Sequence, residues 1–497
     1  MAAFTQQELV SRLWDAANSL RGPVDPADFK AYIFPILFFK WISDNWDWEH
    51  ARAVEEFGDD LTEEIEADYH RFVVPADAHW SQLRKVSENV GVELQHMLDK
   101  LQAANPERLA SIFGDVAWGN KERIPETSLQ NLIDTFDGLR LDPDSVSHDM
   151  LGNAYEYLLG QFADESGKKA GEFFTPRSVV RLITKILDPQ PGESMYDPAC
   201  GSGGMLVEGI NEIREAGREI HTLRIYGQEV NLTTSAIARM NLYLHGIEDH
   251  QILRGDTLRQ PKFRTQTGLA RFDVVIANPP FSLKKWGGES WGNDSWGRAL
   301  WGVPPANSAD YAWIQHMVRS MRPETGRVGV VMPHGVLFRG AKEGEIRKGM
   351  VESGLLEAVI GLPNNLFYST SIPACVLIFR ATAREGRKGF VQFIDATAKF
   401  TKARNQNHMT EADVESVIDA YRTGEDPDGN GGLQTRVVPL SEIAGNDYDL
   451  NLGRYIRTAA KAGVNVETTL EELRESESAF DMARDAMWER LKEAGYE

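Results

Sequence analysis

The apolar positions of this chain follow two different rhythms. Across roughly the first 145 residues the spacing is helical, with Leu9, Leu13, Ala16, Ala17 and Leu20 recurring on one face. The stretch Phe29–Ile42 carries Tyr32, Ile33, Phe34, Ile36, Leu37, Phe38, Phe39 and Trp41. It is apolar on nearly all sides, which predicts a helix inside a core. Pro35 is expected to end its first turn or to kink it. From about residue 146 the rhythm changes to short apolar runs separated by helical ones. The runs Ser194–Ala199, Arg224–Val230, Gln251–Gly255, Phe272–Asn278, Gly326–Met332, Leu356–Gly361, Ala374–Phe379 and Gly389–Ile394 predict strands. Gly204–Ala216, Leu232–His245, Ala309–Arg322 and Lys342–Ser353 predict helices between them. This alternation predicts βαβ units and a mostly parallel α/β sheet, with ligands beyond the carboxyl ends of its strands.

Three stretches depart from that rhythm. Residues 284–307 place Trp286, Trp291, Trp296 and Trp301 at five-residue steps among glycines, which fits neither helix nor strand and predicts an ordered or substrate-ordered loop, either a DNA clamp or a structural loop. Gly424–Gly432 reads as a linker or hairpin tip. Thr468–Ala494 reads as one helix with heptad rows Leu470, Glu477, Arg484, Leu491 and Leu473, Phe480, Met487, Ala494. Such a helix packs on a partner helix or docks on its own domain.

Charge narrows the function classes. The 497 residues carry 53 basic and 74 acidic side chains, a net charge of −21. A protein that coats DNA with its whole surface is excluded, because phosphate binding needs clustered cations. A local basic channel remains open: Arg380, Arg384, Arg387, Lys388, Lys399, Lys402 and Arg404 face only Glu385 and Asp395 within residues 380–404. The acidic run at 55–68 reads as solvated surface. Two cysteines, Cys200 and Cys375, support neither a disulfide framework nor a Cys-based zinc site, and no metal-ligand set is read from the sequence. The apolar runs are too short for a bilayer, and the first residues lack the regions of a signal peptide. These features predict a soluble protein of a reducing cytoplasm.

The candidate chemistry clusters at predicted strand ends. Asp197-Pro198-Ala199-Cys200-Gly201-Ser202-Gly203 follows a strand and opens a helix. Glycines there let a backbone approach a ligand, and the helix start offers free N–H groups. The order of glycines matches neither the dinucleotide fingerprint nor a P-loop. Glu229 ends the next strand and can take the two ribose hydroxyls of a nucleoside. Asp256 ends another and can accept from an adenine amino group. Asn278-Pro279-Pro280-Phe281 ends a fourth. An Asn oxygen and a freed carbonyl accept both hydrogens of a planar amine, while the aromatic ring stacks on its base. Upstream lies Glu172-Phe173-Phe174-Thr175-Pro176-Arg177. Thr175 can cap a helix beginning at Pro176, and that helix start can hold a carboxylate.

In this order the motifs resemble those of N6-adenine DNA methyltransferases of the gamma arrangement. The closest resemblance is to the modification (M) subunit of type I restriction–modification systems, and it covers nearly the whole chain. Leu151–Gly160 and Asp447-Tyr448-Asp449-Leu450-Asn451 contribute to it. The resemblance implies a Rossmann-like S-adenosylmethionine-dependent methyltransferase sheet at 146–400, behind a helical domain at 1–145. A C-terminal region at 401–497 would carry the partner-binding helical tail. It implies S-adenosylmethionine as cofactor, held by Glu172, Phe173, Phe174, Thr175, Pro176, Arg177, Asp197, Gly201, Ser202, Gly203, Glu229 and Asp256. Thr175 would meet the methionine carboxylate, Glu229 the ribose and Asp256 the adenine edge. Asn278, Pro279, Pro280 and Phe281 would be catalytic. Double-stranded DNA, a specificity (S) subunit and a restriction (R) subunit are implied as partners, with two M subunits for each S.

The implied reaction moves a methyl group to N6 of an adenine flipped from the duplex, at a cost of a few kcal/mol. Cytosine C5 chemistry is disfavoured, since neither cysteine follows a proline as that nucleophile requires. Three other readings stay open on the motifs alone: a methyltransferase for protein amides, a non-catalytic assembly subunit, and a self-sufficient restriction enzyme.

Overall fold

The computed structural model describes residues 4–166, 175–220, 222–367, 372–403, 406–425 and 432–456, together with scattered positions of the tail from 474 onward. Glu172, Phe173 and Phe174, most of Gly424–Gly432 and most of the heptad rows lie outside the described residues.

The N-terminal part is helical, as its periodicity predicts. The helix Gln6–Asn18 opens with a reciprocal Thr5–Glu8 capping box and buries Leu9, Leu13, Ala16 and Ala17. The apolar stretch lies in a helix running from Phe29 to Phe57, longer than the apolar pattern alone suggests. Pro35 does not end it. In the second turn a proline removes a single intrahelical donor, and burial of Phe34, Ile36, Leu37, Phe38 and Phe39 around it outweighs that loss. This core extends to Ile237, Met240 and Leu244 on the helix Leu232–Leu244, so the helical part is seated on the α/β part.

The α/β part is built on a sheet of nine strands among the described residues. In chain order these are β1 (Ser194–Asp197), β2 (Arg224–Glu229), β3 (His250–Arg254), β4 (Val274–Ala277), β5 (Arg327–Pro333), β6 (Leu356–Gly361), β7 (Ala374–Arg380), β8 (Phe390–Asp395) and β9 (Gln434–Pro439). Their order across the sheet is 9-8-6-7-5-4-1-2-3. β3, β2, β1, β4 and β5 are parallel neighbours, whereas β7 runs antiparallel between β5 and β6. The eight predicted strands are all present. The ninth, β9, lay unread in the sequence and pairs antiparallel with β8 along the sheet edge. Its residues Gln434, Thr435, Arg436 and Val437 are half-exposed or exposed, so it lacks the continuous apolar run that marks the buried strands. β5 is buried at every position, as a strand covered on both faces must be.

The tryptophan-rich loop is packed rather than open. The Trp286 and Trp291 rings meet edge to face at 5.0 Å and are almost fully buried. Their indole N–H groups donate to the carbonyls of Pro305 at 3.1 Å and Leu258 at 3.3 Å. Arg298 lies buried against the Trp291 and Trp296 rings, donating to the carbonyls of Thr257 and Leu258 and pairing with Asp294 at 2.8 Å. The loop therefore braces the segment that follows β3. Three arginines of the basic run at 380–404 are held by their own domain, and Arg404 lies outside the described residues. Arg380 pairs with Glu357 at 2.7 Å, Arg384 stacks on Tyr421, and Arg387 donates to the Thr423 carbonyl.

Candidate active site

The parallel register brings four strand ends side by side. Asp197 of β1 lies opposite Gly227 of β2, and Glu229 of β2 lies opposite Arg254 of β3. β4 flanks β1 on the other side, so Asn278 emerges beside Asp197. A cleft at these ends is lined by Thr175, Arg177, Asp197, Gly201, Ser202 and Asn278 from the predicted set.

The glycine turn is built for close approach. Gly201 and Gly203 adopt φ values of 54° and 83°, left-handed conformations that cost a glycine little. A Cβ at Gly201 or Gly204 would meet nothing within 4 Å, so this face of the turn is open. One Glu229 oxygen accepts the Gly201 N–H at 3.1 Å and the other accepts the Asn231 N–H at 2.8 Å. Glu229 thus ties the glycine turn to the end of β2. Asp197 is buried and accepts the Ala199 N–H at 2.9 Å. Burial pushes its carboxyl up to about 8, because solvent no longer stabilises the ionised form.

Asn278 and Thr175 face each other across this cleft. The Asn278 amide donates to the Thr175 hydroxyl at 2.9 Å. Its oxygen is buried and has no hydrogen-bond partner among the described residues. Thr175 does not cap the following helix: that helix begins at Arg177, its N-cap is Pro176, and no side chain caps it. The threonine hydroxyl is spent on Asn278 instead. Phe281 is half-buried, edge-on to Phe367 at 6.3 Å. Asp256 is occupied locally, accepting the N–H groups of Leu258 and Arg259 at 3.0 and 3.1 Å.

Two acids that the sequence reading passed over complete the lining. Glu156, buried on the helix His148–Ser166, pairs with Arg177. Its carboxyl is raised above the ordinary range by burial, against the pull of Arg177. Glu208, on the helix Gly204–Glu215, is raised to about 7 by burial and by the neighbouring Glu156. Glu156 carries little signal in the sequence, because it stands at the rim of the face formed by Leu151, Ala154, Tyr155 and Leu158 and has the spacing of a solvated position.

Comparison with known proteins bears on this arrangement. A model of the N-6 DNA methylase family matches residues 146–463, which span every strand of the sheet and the whole cleft. The chain belongs to the N-6 DNA methylase family. A model of the HsdM N-terminal domain matches residues 9–136, the helical part. The methylase subunit of the type I restriction enzyme MjaVII from Methanocaldococcus jannaschii is 33% identical over 95% of this chain and 82% of that relative. The HindI methylase subunit from Haemophilus influenzae is 33% identical over 78% of this chain and 90% of its own length. A crystal structure of a type I restriction–modification methyltransferase subunit from Streptococcus thermophilus superposes with a TM-score of 0.79 at 33% identity. It covers 91% of this chain and 100% of that one. This methylase is therefore an adenine-specific DNA methyltransferase of the type I modification subunits, and its sheet is the Rossmann-like methyltransferase sheet.

Proposed function

We propose that this chain transfers the methyl group of S-adenosylmethionine to N6 of an adenine flipped out of double-stranded DNA. It does so as the modification subunit of a complex with a specificity subunit, two copies to each, and the complex restricts DNA when a restriction subunit joins. The observation that carries the reading is the buried, unpartnered oxygen of Asn278. A buried acceptor without a donor costs about 1–3 kcal/mol, and an exocyclic amine supplies the missing donor.

The chain's residues fit the cofactor. The open glycine turn at Gly201–Gly203 admits its backbone-hugging nucleoside, and Glu229 offers a carboxylate beside that turn. The acids Asp197, Glu156 and Glu208 line the cleft, Glu156 paired with Arg177, and a ligand with sulfonium and ammonium charges would draw the raised carboxyls toward their ionised forms. When bound, S-adenosylmethionine supplies an activated methyl group on sulfur. Thr175 fixes the rotamer of Asn278 by accepting from its amide, so the Asn278 oxygen and the Pro279 carbonyl receive the two amine hydrogens. That arrangement aims the nitrogen lone pair, and positioning supplies most of the acceleration. Phe281 stacks on the flipped base and offsets part of the unstacking cost. Asp256, Glu172, Phe173 and Phe174 would contribute further contacts to the cofactor, with Pro176 and Arg177 at the start of the neighbouring helix.

Methylation-sensitive sequencing of host DNA tests this. N6-methyladenine at one sequence context is expected with the wild-type gene and lost with Asn278→Ala. Persistence of the mark, or a mark on cytosine N4, would overturn the reading. The acidic balance of the chain fits DNA affinity borrowed from the specificity subunit. Tight sequence-specific binding by the purified chain alone would contradict that division of labour.

A further inference from the structure

A second cluster of chemistry sits in the helical part, in the sequence neighbourhood that reads only as acidic surface. His50 lies near the end of the long helix Phe29–Phe57, Glu66 on the short helix Glu63–Tyr69, and His70 at that helix's C-cap. Their nearest ligand atoms all fall within 4.8 Å of one another. His50 Nδ1 stands 2.5 Å and His70 Nε2 stands 3.7 Å from the same oxygen of Glu66.

The His70 side chain is only 5% exposed, and its Nε2 is buried without a hydrogen-bond partner. A buried ring nitrogen left unpaired and aimed at a carboxylate needs an explanation. The other ring nitrogen supplies one. His70 Nδ1 lies 3.1 Å from Glu49, whose same oxygen also accepts the Arg71 N–H at 3.2 Å. In the tautomer that donates Nδ1–H to Glu49, Nε2 presents its lone pair to the cluster. This carboxylate–histidine relay is the arrangement that orients histidine ligands of metals. The Trp46 indole lies nearly parallel to both imidazoles, at 5.2 and 4.8 Å, and restrains their planes.

We propose that His50, Glu66 and His70 form a binding site for one divalent transition-metal ion of the zinc type. Two imidazoles and one carboxylate are ligands of borderline softness that suit Zn²⁺. Metal–ligand bonds of about 2.0–2.2 Å in a tetrahedron separate ligand atoms by about 3.3 Å. The separations of 2.5 and 3.7 Å from Glu66 straddle that spacing, so small side-chain rotations seat the ion. His50 and Glu66 are 42% and 28% exposed, which gives the ion an entry path and leaves the fourth position to water. The ion would pin the short acidic helix to the end of the long one. It lies on the helical part, on residues that do not line the methyltransferase cleft, so its loss is read by binding and stability rather than by methylation.

The test is calorimetric titration of the metal-free, untagged full chain with Zn²⁺, alongside His50→Ala, His70→Ala and the exposed control His96→Ala. Wild type and His96→Ala are expected to bind one ion per chain and to melt at higher temperature with Zn²⁺ present. His50→Ala and His70→Ala are expected to bind at least ten-fold more weakly and to lose the thermal shift. His50 is half-exposed, so that variant keeps the test valid if His70→Ala fails to fold. Wild type that takes up no ion, or His50→Ala that binds as wild type does, would overturn the site and leave an ion-pair cluster.

Discussion

The Asn278 amide donates to the Thr175 hydroxyl across 2.9 Å, joining two residues 103 positions apart in the chain. One bond thus links the motif before the first sheet helix to the motif after β4. It also decides which end of the Asn278 amide faces the cleft. Thr175→Val keeps the side-chain shape and removes the acceptor, which frees the amide to rotate. Methylation of a DNA duplex by the assembled subunits should fall about 10- to 100-fold, or about 1.4–2.7 kcal/mol of barrier. Thr175→Ser should retain most of the rate. Equal initial rates for Thr175→Val and wild type would remove Thr175 from this role.

Asp197 carries a pH dependence. Its carboxyl stands at about 8 in the fold against an ordinary value of 3.8. A raised carboxyl contributes stability that is complete below the unfolded value and lost as pH rises through the folded one. Asp197→Asn cannot ionise and keeps an oxygen for the Ala199 N–H. Relative to wild type it should gain on the order of 2 kcal/mol between about pH 6 and about pH 8, read by denaturant unfolding at each pH. A gap that stays constant with pH would show that Asp197 does not titrate there. A cationic ligand favours the ionised carboxylate. Cofactor binding by wild type near neutral pH should therefore release a proton, detectable by calorimetry in buffers of different ionisation heat.

Gly152 is where the helix carrying Glu156 meets the buried His245. A Cβ at residue 152 would come within 2.5 Å of three atoms of that imidazole ring. Burial and nearby arginines hold the His245 ring neutral, at about 3, so protonation offers no escape. Gly152→Ala must shift the helix or the ring, at about 1–3 kcal/mol. A lowered melting temperature is expected, together with weaker cofactor binding because Glu156 lies one turn further on. An unchanged melting temperature would mean the contact yields without cost.

Arg298 anchors the tryptophan loop from inside. It is 1% exposed and its partner Asp294 4%. Arg298→Ala removes the counter-charge of Asp294 and the side-chain donor to the Thr257 carbonyl in a dry site, while the Leu258 carbonyl keeps the Trp291 N–H. Breaking such a pair costs about 3–5 kcal/mol, which thermal unfolding will register. If the loop were a free DNA clamp instead, stability would hold and only DNA binding would suffer.

The sequence was most legible where burial is continuous. Strands such as β5 and β7 are apolar along their length and announce themselves, and Leu9, Leu13, Ala16 and Ala17 mark one buried helix face. β9 escaped because an edge strand with half-exposed residues carries no such run. The site motifs were legible because each is a local string at a strand end. Glu156 and Glu208 were not, because an acid inside an amphipathic helix looks like any solvated position until its neighbours are known.

The amino-acid sequence by itself determined the alternation of strands and helices, the chemistry offered at each strand end and the family to which the chain belongs. These depend on periodicity and on contiguous residues, which a linear string preserves. Only the tertiary structure decided that the Thr175 hydroxyl serves Asn278 rather than a helix start, and that the tryptophans form a core. It alone brought His50, Glu66 and His70 around one point. Each of these rests on hydrogen bonds and burial between residues distant in sequence, and such contacts exist only once the chain has closed on itself.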